Sequence, residues 1–313
     1  MYGATLDRPL RLAFVGQSTF FEACVLAPGV DPRLEPRFHE FRQGSAAEAL
    51  MPGLRAFDPD VVIVFRPEII PAGAFEGLRA ATLGFLTEPL PRTGSAGGVS
   101  HEDLERRLWA LGHVDAGNFD RIVAFDPLIG ETAERVLPVW RSLPIPVADR
   151  YYRPVRDPDP TSPPLFVGRS TTHREKLLTP SKHNYDVLHL AFGVDAGRLE
   201  RLMDEHWVAI NLHNEPYPSF ENRVCLHLAA GHLVLSEALS PTHGLEPDID
   251  FLEFHGPQHL ERLLGTLRRD ATVWQSVRVR GRRKAEQFRA SRVYPRLIAD
   301  LLADLRAFGS PRR

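Results

Sequence analysis

Cysteine is almost missing from this sequence. Cys24 and Cys225 are the only two in 313 residues, each inside an apolar segment, which leaves no basis for a disulfide framework or a cysteine metal site. A reducing cytoplasm is the expected compartment. Lysine is nearly as scarce: only Lys176, Lys182 and Lys284 occur, and arginine supplies the rest of 38 basic residues against 40 acidic ones. A net charge of −2 gives no electrostatic footprint for nonspecific nucleic-acid binding. The one basic run, 278–284, reads as a solvated helix face. No stretch approaches the roughly 18 apolar residues of a membrane span, so an integral segment is not expected, while peripheral membrane contact stays open. The early run LRLAFVG is too short for a signal-peptide core and reads as a strand. Motif absences narrow the chemistry further. No G-x-G-x-x-G follows a predicted strand, no G-x-S-x-G is present, and GSAGG (94–98) lacks the Lys-Ser/Thr of a phosphate-binding P-loop. That glycine-rich stretch reads instead as a mobile acceptor-side loop. The Asp-x-Asp strings at 58–60, 157–159 and 248–250 lie at turns or in Pro-rich sequence, and no metal is expected there.

What is present is the composition of a globular protein, 43% hydrophobic and 25% charged, with length enough for two domains. Short β-rich runs alternate with helical patterns, the signature of parallel α/β units. One series holds RLAFVG (11–16), DVVIVF (60–65), ATLGFL (81–86), RIVAF (121–125) and RSLPIPV (141–147). A helix follows in SHEDLERRLWALGH, with Ser100 as N-cap candidate. The Pro-rich segment 153–164 reads as an interdomain linker. A second series comprises PLFVG (164–168), DVLHLAFG (186–193), VAINLH (208–213), HLVLSE (232–237) and FLEF (251–254). Helical patterns at 198–205, 220–230 and 259–268 separate several of them. A helical tail from about 271 to 308, with a break at Pro295, closes the chain. The expected fold is α/β, with two doubly wound Rossmann-like domains facing a cleft. An N-terminal domain spans 1–158, a C-terminal domain 159–290, and a last helix, 291–313, packs back on the first domain.

In such sheets ligands bind beyond the carboxyl ends of the strands. The polar loops there are GQSTFFE (16–22), TEPLPRTGSAGG (87–98), GRSTTHREK (168–176), HNEPYPSFEN (213–222) and SPTHGLEPDID (240–250). The string VAINLHNEPYPSFENRVCLHLAAGHLVLSE, with PLFVGRS before it and GLEPDIDFLEF after it, resembles the C-terminal half of two-domain GT-B glycosyltransferases, especially the CgeB-like spore-maturation group. That group shows a strand ending in Asn-Leu-His, then Ser-Phe-Glu-x-Arg entering a helix that ends in Ala-x-Gly. FLTEP, FDRIVAFDP and LPIPVADRYYRP resemble the N-terminal half more weakly.

The resemblance implies transfer of a sugar from a nucleotide-sugar donor to an unidentified acceptor held by the N-terminal domain, with no metal and no cofactor. A physical basis is legible in the residues. A helix N-terminus offers N–H groups to a diphosphate, and Ser219, Phe220, Glu221 and Asn222 would form that end. Arg169 would bind the phosphates and assist departure of the leaving group, with Arg174 or Lys176 as helpers. His213, Asn214, Glu215 and Glu246 complete the donor contacts in the second domain, although His213 reads equally as a satisfied strand-end histidine. Gly16 and Gln17 follow the first strand and would approach donor or acceptor. Glu88 is the general-base candidate and His101 a second one. The sequence departs from the wider pattern at Pro218 and Leu226, where many retaining relatives carry acids; the CgeB-like group keeps the later one. Two alternatives stay open: a binding protein that kept the architecture without the chemistry, and a sugar-nucleotide epimerase.

Overall fold

The computed structural model describes residues 8–92 and 101–312; Ser100 and the glycine-rich stretch 94–98 lie outside them. The chain forms two compact units, one of Met1–Asp149 with Ala290–Arg313, the other of Arg150–Arg289.

Unit 1 runs β1 (Leu10–Gly16), α1 (Ser18–Phe21), β2 (Leu34–Glu40), α2 (Met51–Phe57), β3 (Val61–Phe65), β4 (Ala81–Leu86), α3 (Glu102–Leu111), β5 (Arg121–Ala124), α4 (Gly130–Ala133) and β6 (Arg141–Ser142). Its six strands lie in the order β2-β1-β3-β4-β5-β6, every pair parallel. The all-apolar strand VVIVF is buried at every position, as a central parallel strand covered on both faces must be. β2, LEPRFHE, escapes the sequence reading because Pro36 and its charged residues break the apolar pattern. It lies at the sheet edge, where a proline and solvent-facing charges are tolerated. β6 is confined to two residues because the prolines at 144 and 146 remove donors a longer ladder needs.

Unit 2 runs β7 (Leu165–Val167), α5 (Thr172–Tyr185), β8 (Leu188–Leu190), α6 (Ala196–Glu205), β9 (Val208–Asn211), α7 (Arg223–Ala229), β10 (Leu233–Ser236), β11 (Leu252–Glu253), α8 (Pro257–Arg269) and α9 (Gln275–Lys284). The strand order is β11-β10-β9-β7-β8, again all parallel. Phe166, Trp207, Ile210, Leu235, Phe254 and Leu260 anchor its core. The polar string read as a loop up to Lys176 is the start of α5. Thr171 caps it by accepting from the Arg174 N–H at 3.3 Å, and burial of Leu177, Leu178 and Ser181 carries the helix through Pro180. Packing here outweighs a residue that on its own costs a helix roughly 3 kcal/mol. The Pro-rich segment 153–164 belongs to unit 2 and is tied to α6: Arg153 bonds Asp204 at 2.8 Å and Glu200 at 3.0 Å.

The last helix, α10 (Ala290–Phe308), returns to unit 1. The break in the helical tail comes at Arg289, which is extended, not at Pro295, which lies inside α10. The stripe Tyr294, Leu297, Ile298 and Leu301 is buried, and the Tyr294 hydroxyl donates to the Cys24 carbonyl at 2.7 Å. Among the described residues no helix is long and apolar enough to cross a membrane.

Candidate active site

In unit 2 the chain passes from β7 to β8 on one side, then places β9 on the other side of β7. This reversal is a topological switch point, where open parallel sheets receive ligands beyond the strand ends. Gly168 and Arg169 follow β7 there, and Leu212, His213 and Asn214 follow β9. Arg169 donates through Nε to Asn214 Oδ1 at 3.1 Å and lies 3.7 Å from Glu215, yet its side chain keeps 53% exposure. Its guanidinium is held beyond the carboxyl end of β7 and open to solvent.

Behind it sits a buried guanidinium. Arg174 projects from the first turn of α5 and donates to Leu212 O at 3.1 Å, His213 O at 3.0 Å and Arg169 O at 3.0 Å, joining the ends of β7 and β9. Burial lowers Arg174 to about 10, with Arg223 adding to the effect, so it stays charged at neutral pH. Arg223, the first residue of α7, donates to Leu212 O at 3.0 Å and to Glu221 at 3.1 Å. A Cβ at Gly168 would stand 3.2 Å from Arg174 Nη1 and 3.5 Å from Arg223 Cζ. Glycine at this turn makes room for the two guanidinium groups. Glu215, Glu221 and Glu237 supply the opposing charge. Glu237 accepts from the His213 N–H at 2.7 Å and bonds His173 Nε2 at 2.9 Å.

The remaining second-domain candidates divide. His213 is buried, and Nε2 faces the Ala238 carbonyl at 2.8 Å. A carbonyl can only accept, so the proton is on Nε2, and Nδ1 accepts the Ser219 hydroxyl at 3.0 Å. Both ring nitrogens, and Ser219 with them, are spent inside the fold. Phe220 is buried, its ring edge-on to His243 at 4.5 Å. Asn222 stands immediately before α7 with no side-chain cap bond. Lys176 is exposed and two residues from Arg174, about 200° around the helix, so it points away from the guanidinium group. Glu246 is largely exposed, 3.9 Å from Lys284. Arg223, Glu237 and His173 are the residues sequence reasoning left out. The Ser-Phe-Glu-x-Arg string contains the first, the polar stretch GRSTTHREK contains His173, and no local signal marks Glu237.

In unit 1, Gly16 ends β1, and a Cβ there would lie 3.2 Å from Phe21 and 3.3 Å from Phe65. Close aromatic packing explains this glycine. Gln17 precedes α1 without a side-chain cap bond, and Glu40 accepts the next N–H, that of Ser18, at 2.7 Å. Glu88, just past β4, pairs with Arg107 and lies 4.0 Å from Arg66. Arg107 also bonds Asp103 at 2.8 Å, and Arg66 bonds Glu68 at 2.9 Å. His101, not Ser100, is the N-cap of α3: its Nδ1 accepts from the Asp103 N–H at 3.1 Å.

Two parallel sheets of this kind have counterparts among solved structures. Anabaena HepE in complex with UDP-glucose aligns over 95% of this chain and 100% of its own, with a TM-score of 0.58 at 12% identity. Sucrose-phosphate synthase from Thermosynechococcus elongatus aligns over 94% and 99%, with 0.56 at 13% identity. The chain has the GT-B fold. A glycosyltransferase from Rickettsia africae shares this GT-B likeness over 95% and 99%, with 0.52 at 10% identity. At such identities the likeness is one of fold alone. No family model and no curated protein matches the sequence.

Proposed function

We propose that the protein is a glycosyltransferase that takes a nucleotide-sugar donor at the switch point of unit 2 and passes the sugar to an acceptor held by unit 1. The observation that carries this reading is Arg169. It is a solvent-reachable guanidinium braced by Asn214 at the end of β7, with two further guanidinium groups packed behind it. As the bond from the sugar's anomeric carbon to the donor phosphate breaks, its electron pair leaves on the diphosphate, and fixed positive charge there stabilises the transition state. Arginine serves the role a metal otherwise fills. The acceptor oxygen closes the new bond to the anomeric carbon and gives up its proton, for which Glu88 is the proposed base. Their proximity to Arg169 supports Glu215 and Asn214 as the proposed partners of the sugar hydroxyls. The Asn-Leu-His and Ser-Phe-Glu-x-Arg strings support the narrower CgeB-like assignment.

Arg169→Ala tests the site. A hydrogen bond to a charged group is worth roughly 1.5–3 kcal/mol, so UDP should bind about 10- to 150-fold more weakly by calorimetry. Because the side chain is half exposed, the fold should survive. A variant that binds UDP as the parent does places the diphosphate elsewhere. A second reading is favoured by Pro218 and Leu226, where no carboxylate is present to grip the donor, and Leu226 is buried in α7: a nucleotide-binding protein of GT-B fold without turnover. Incubation with UDP-, GDP- and ADP-sugars separates the two. Slow donor hydrolysis supports the transferase, and binding without hydrolysis supports the second reading.

A further inference from the structure

Phe192 is 80% exposed, and among the described residues it is the only strongly exposed aromatic of unit 2. Single exposed apolar residues are ordinary; its position is not. β8 pairs with β7 so that Leu190 stands opposite Val167. Phe192 therefore lies two residues beyond the paired position on one strand, and Arg169 two residues beyond it on the neighbour. The Gly168 N–H continues the ladder to Leu190 O at 2.9 Å, so the two exit segments leave the sheet side by side.

The backbone around Phe192 is anchored. His189 Nε2 donates to Gly168 O at 2.8 Å, and Arg198 of α6 donates to Gly193 O at 3.1 Å. Asp195 caps the same helix through the Arg198 N–H at 2.7 Å. Gly193, at φ +71°, makes the turn that a side chain would strain. A ring is thus held out to water from a braced loop, next to the segment that carries Arg169. The other flank of Arg169 is polar, with Asn214 and Glu215. The two ends of a nucleotide sugar differ in the same sense, one a flat aromatic base and the other a polyol.

We infer that Phe192 is the stacking platform for the nucleobase of the donor, which orients the nucleotide with its base toward β8 and its sugar toward β9. This rests on the donor reading of the switch point. Stacking of a base on an aromatic side chain tolerates any base, so Phe192 contributes affinity for nucleotides as a class.

The experiment compares the parent, Phe192→Ala and Phe192→Trp by calorimetry with UDP, ADP, GDP and inorganic pyrophosphate. In Phe192→Ala the nucleoside diphosphate that binds the parent should weaken by about 5- to 150-fold while pyrophosphate, which has no base, is unchanged. Phe192→Trp should restore nucleotide affinity. An alanine variant that keeps parental affinity overturns the inference and leaves the donor site intact. Equal loss for pyrophosphate also overturns it, since the effect would then lie in the phosphate contacts. A parent that binds none of the four ligands overturns the donor reading itself, and the stacking role with it.

Discussion

Glu88 shows how much a side chain's neighbours decide. At the end of β4 it faces two guanidinium groups, Arg107 in contact and Arg66 at 4.0 Å, and keeps 38% exposure. Those partners hold the carboxylate in place, and an acceptor hydroxyl would have to compete with them for its oxygens. To act as the base it must exchange Arg107 for the acceptor. Glu88→Gln should cut transfer by about 10²- to 10⁴-fold, the usual worth of a positioned general base, while UDP affinity stays within about twofold, because the residue belongs to unit 1. Turnover equal to the parent's in a coupled UDP-release assay would remove Glu88 from this role. Arg174 makes the complementary point. It is 2% exposed and joined to three carbonyl oxygens, so a ligand at this site would feel its charge only through the strand ends it braces and the field it adds near Arg169.

At the scale of elements, α7 and β10 bury a pair of histidines that constrain the pH range of unit 2. His232 donates through Nε2 to the Met203 carbonyl at 3.0 Å, which leaves its Nδ1 to accept from His227 Nδ1 at 3.1 Å. Both rings are therefore neutral in the folded chain. Burial pushes His232 down to about 3, with His206, Arg278 and Arg156 adding to the effect, and pushes His227 well below its ordinary value, with His232 adding to it. The sign follows from linkage. Above about pH 6.5 neither the folded nor the unfolded chain protonates these rings, and their contribution to stability is complete. Below it the unfolded chain takes up protons that the folded chain refuses, so stability falls with pH down to about 3. The slope approaches 1.4 kcal/mol per pH unit for each ring. Urea unfolding of unit 2, followed by the fluorescence of Trp207, should lose roughly 2–3 kcal/mol between pH 7.5 and 5.5. A flat profile over that range would show that the rings charge within the fold.

At the scale of the whole molecule the chain crosses between units twice, at 149/150 and at 289/290. Unit 2 is one continuous segment with its own sheet and core, whereas unit 1 includes α10 from the far end of the chain. That helix contributes Tyr294, Leu297, Ile298 and Leu301, each worth roughly 1.5–3 kcal/mol when fully buried. Their sum is comparable with the 5–15 kcal/mol net stability of a typical domain. Residues 150–289 expressed alone should unfold cooperatively on heating, and residues 1–149 alone should not. Cooperative melting of 1–149 by circular dichroism would show that α10 is dispensable.

The sequence by itself determined the strands whose apolar runs are short and punctuated, among them VVIVF at β3 and VAIN at β9, because burial on both faces of a parallel sheet writes itself into consecutive residues. It also placed Arg169, Asn214 and Glu221 beyond strand ends, since the loops there are polar and follow directly on those runs. It did not reveal β2, whose Pro36 and charges suit a sheet edge, nor α5, whose Pro180 is carried by tertiary burial. Strand order was the larger omission. That β9 returns to lie beside β7 is a contact between residues more than forty positions apart, and no local period encodes it. Only that return brings Arg174 against Leu212 and His213 and crowds Gly168 against two guanidinium groups, just as the nitrogens of His213 are satisfied by Ser219 in its own loop and by Ala238 beyond β10. Periodicity records whether a residue is buried; which partners it meets depends on how the elements pack, and the candidate site is built from those meetings.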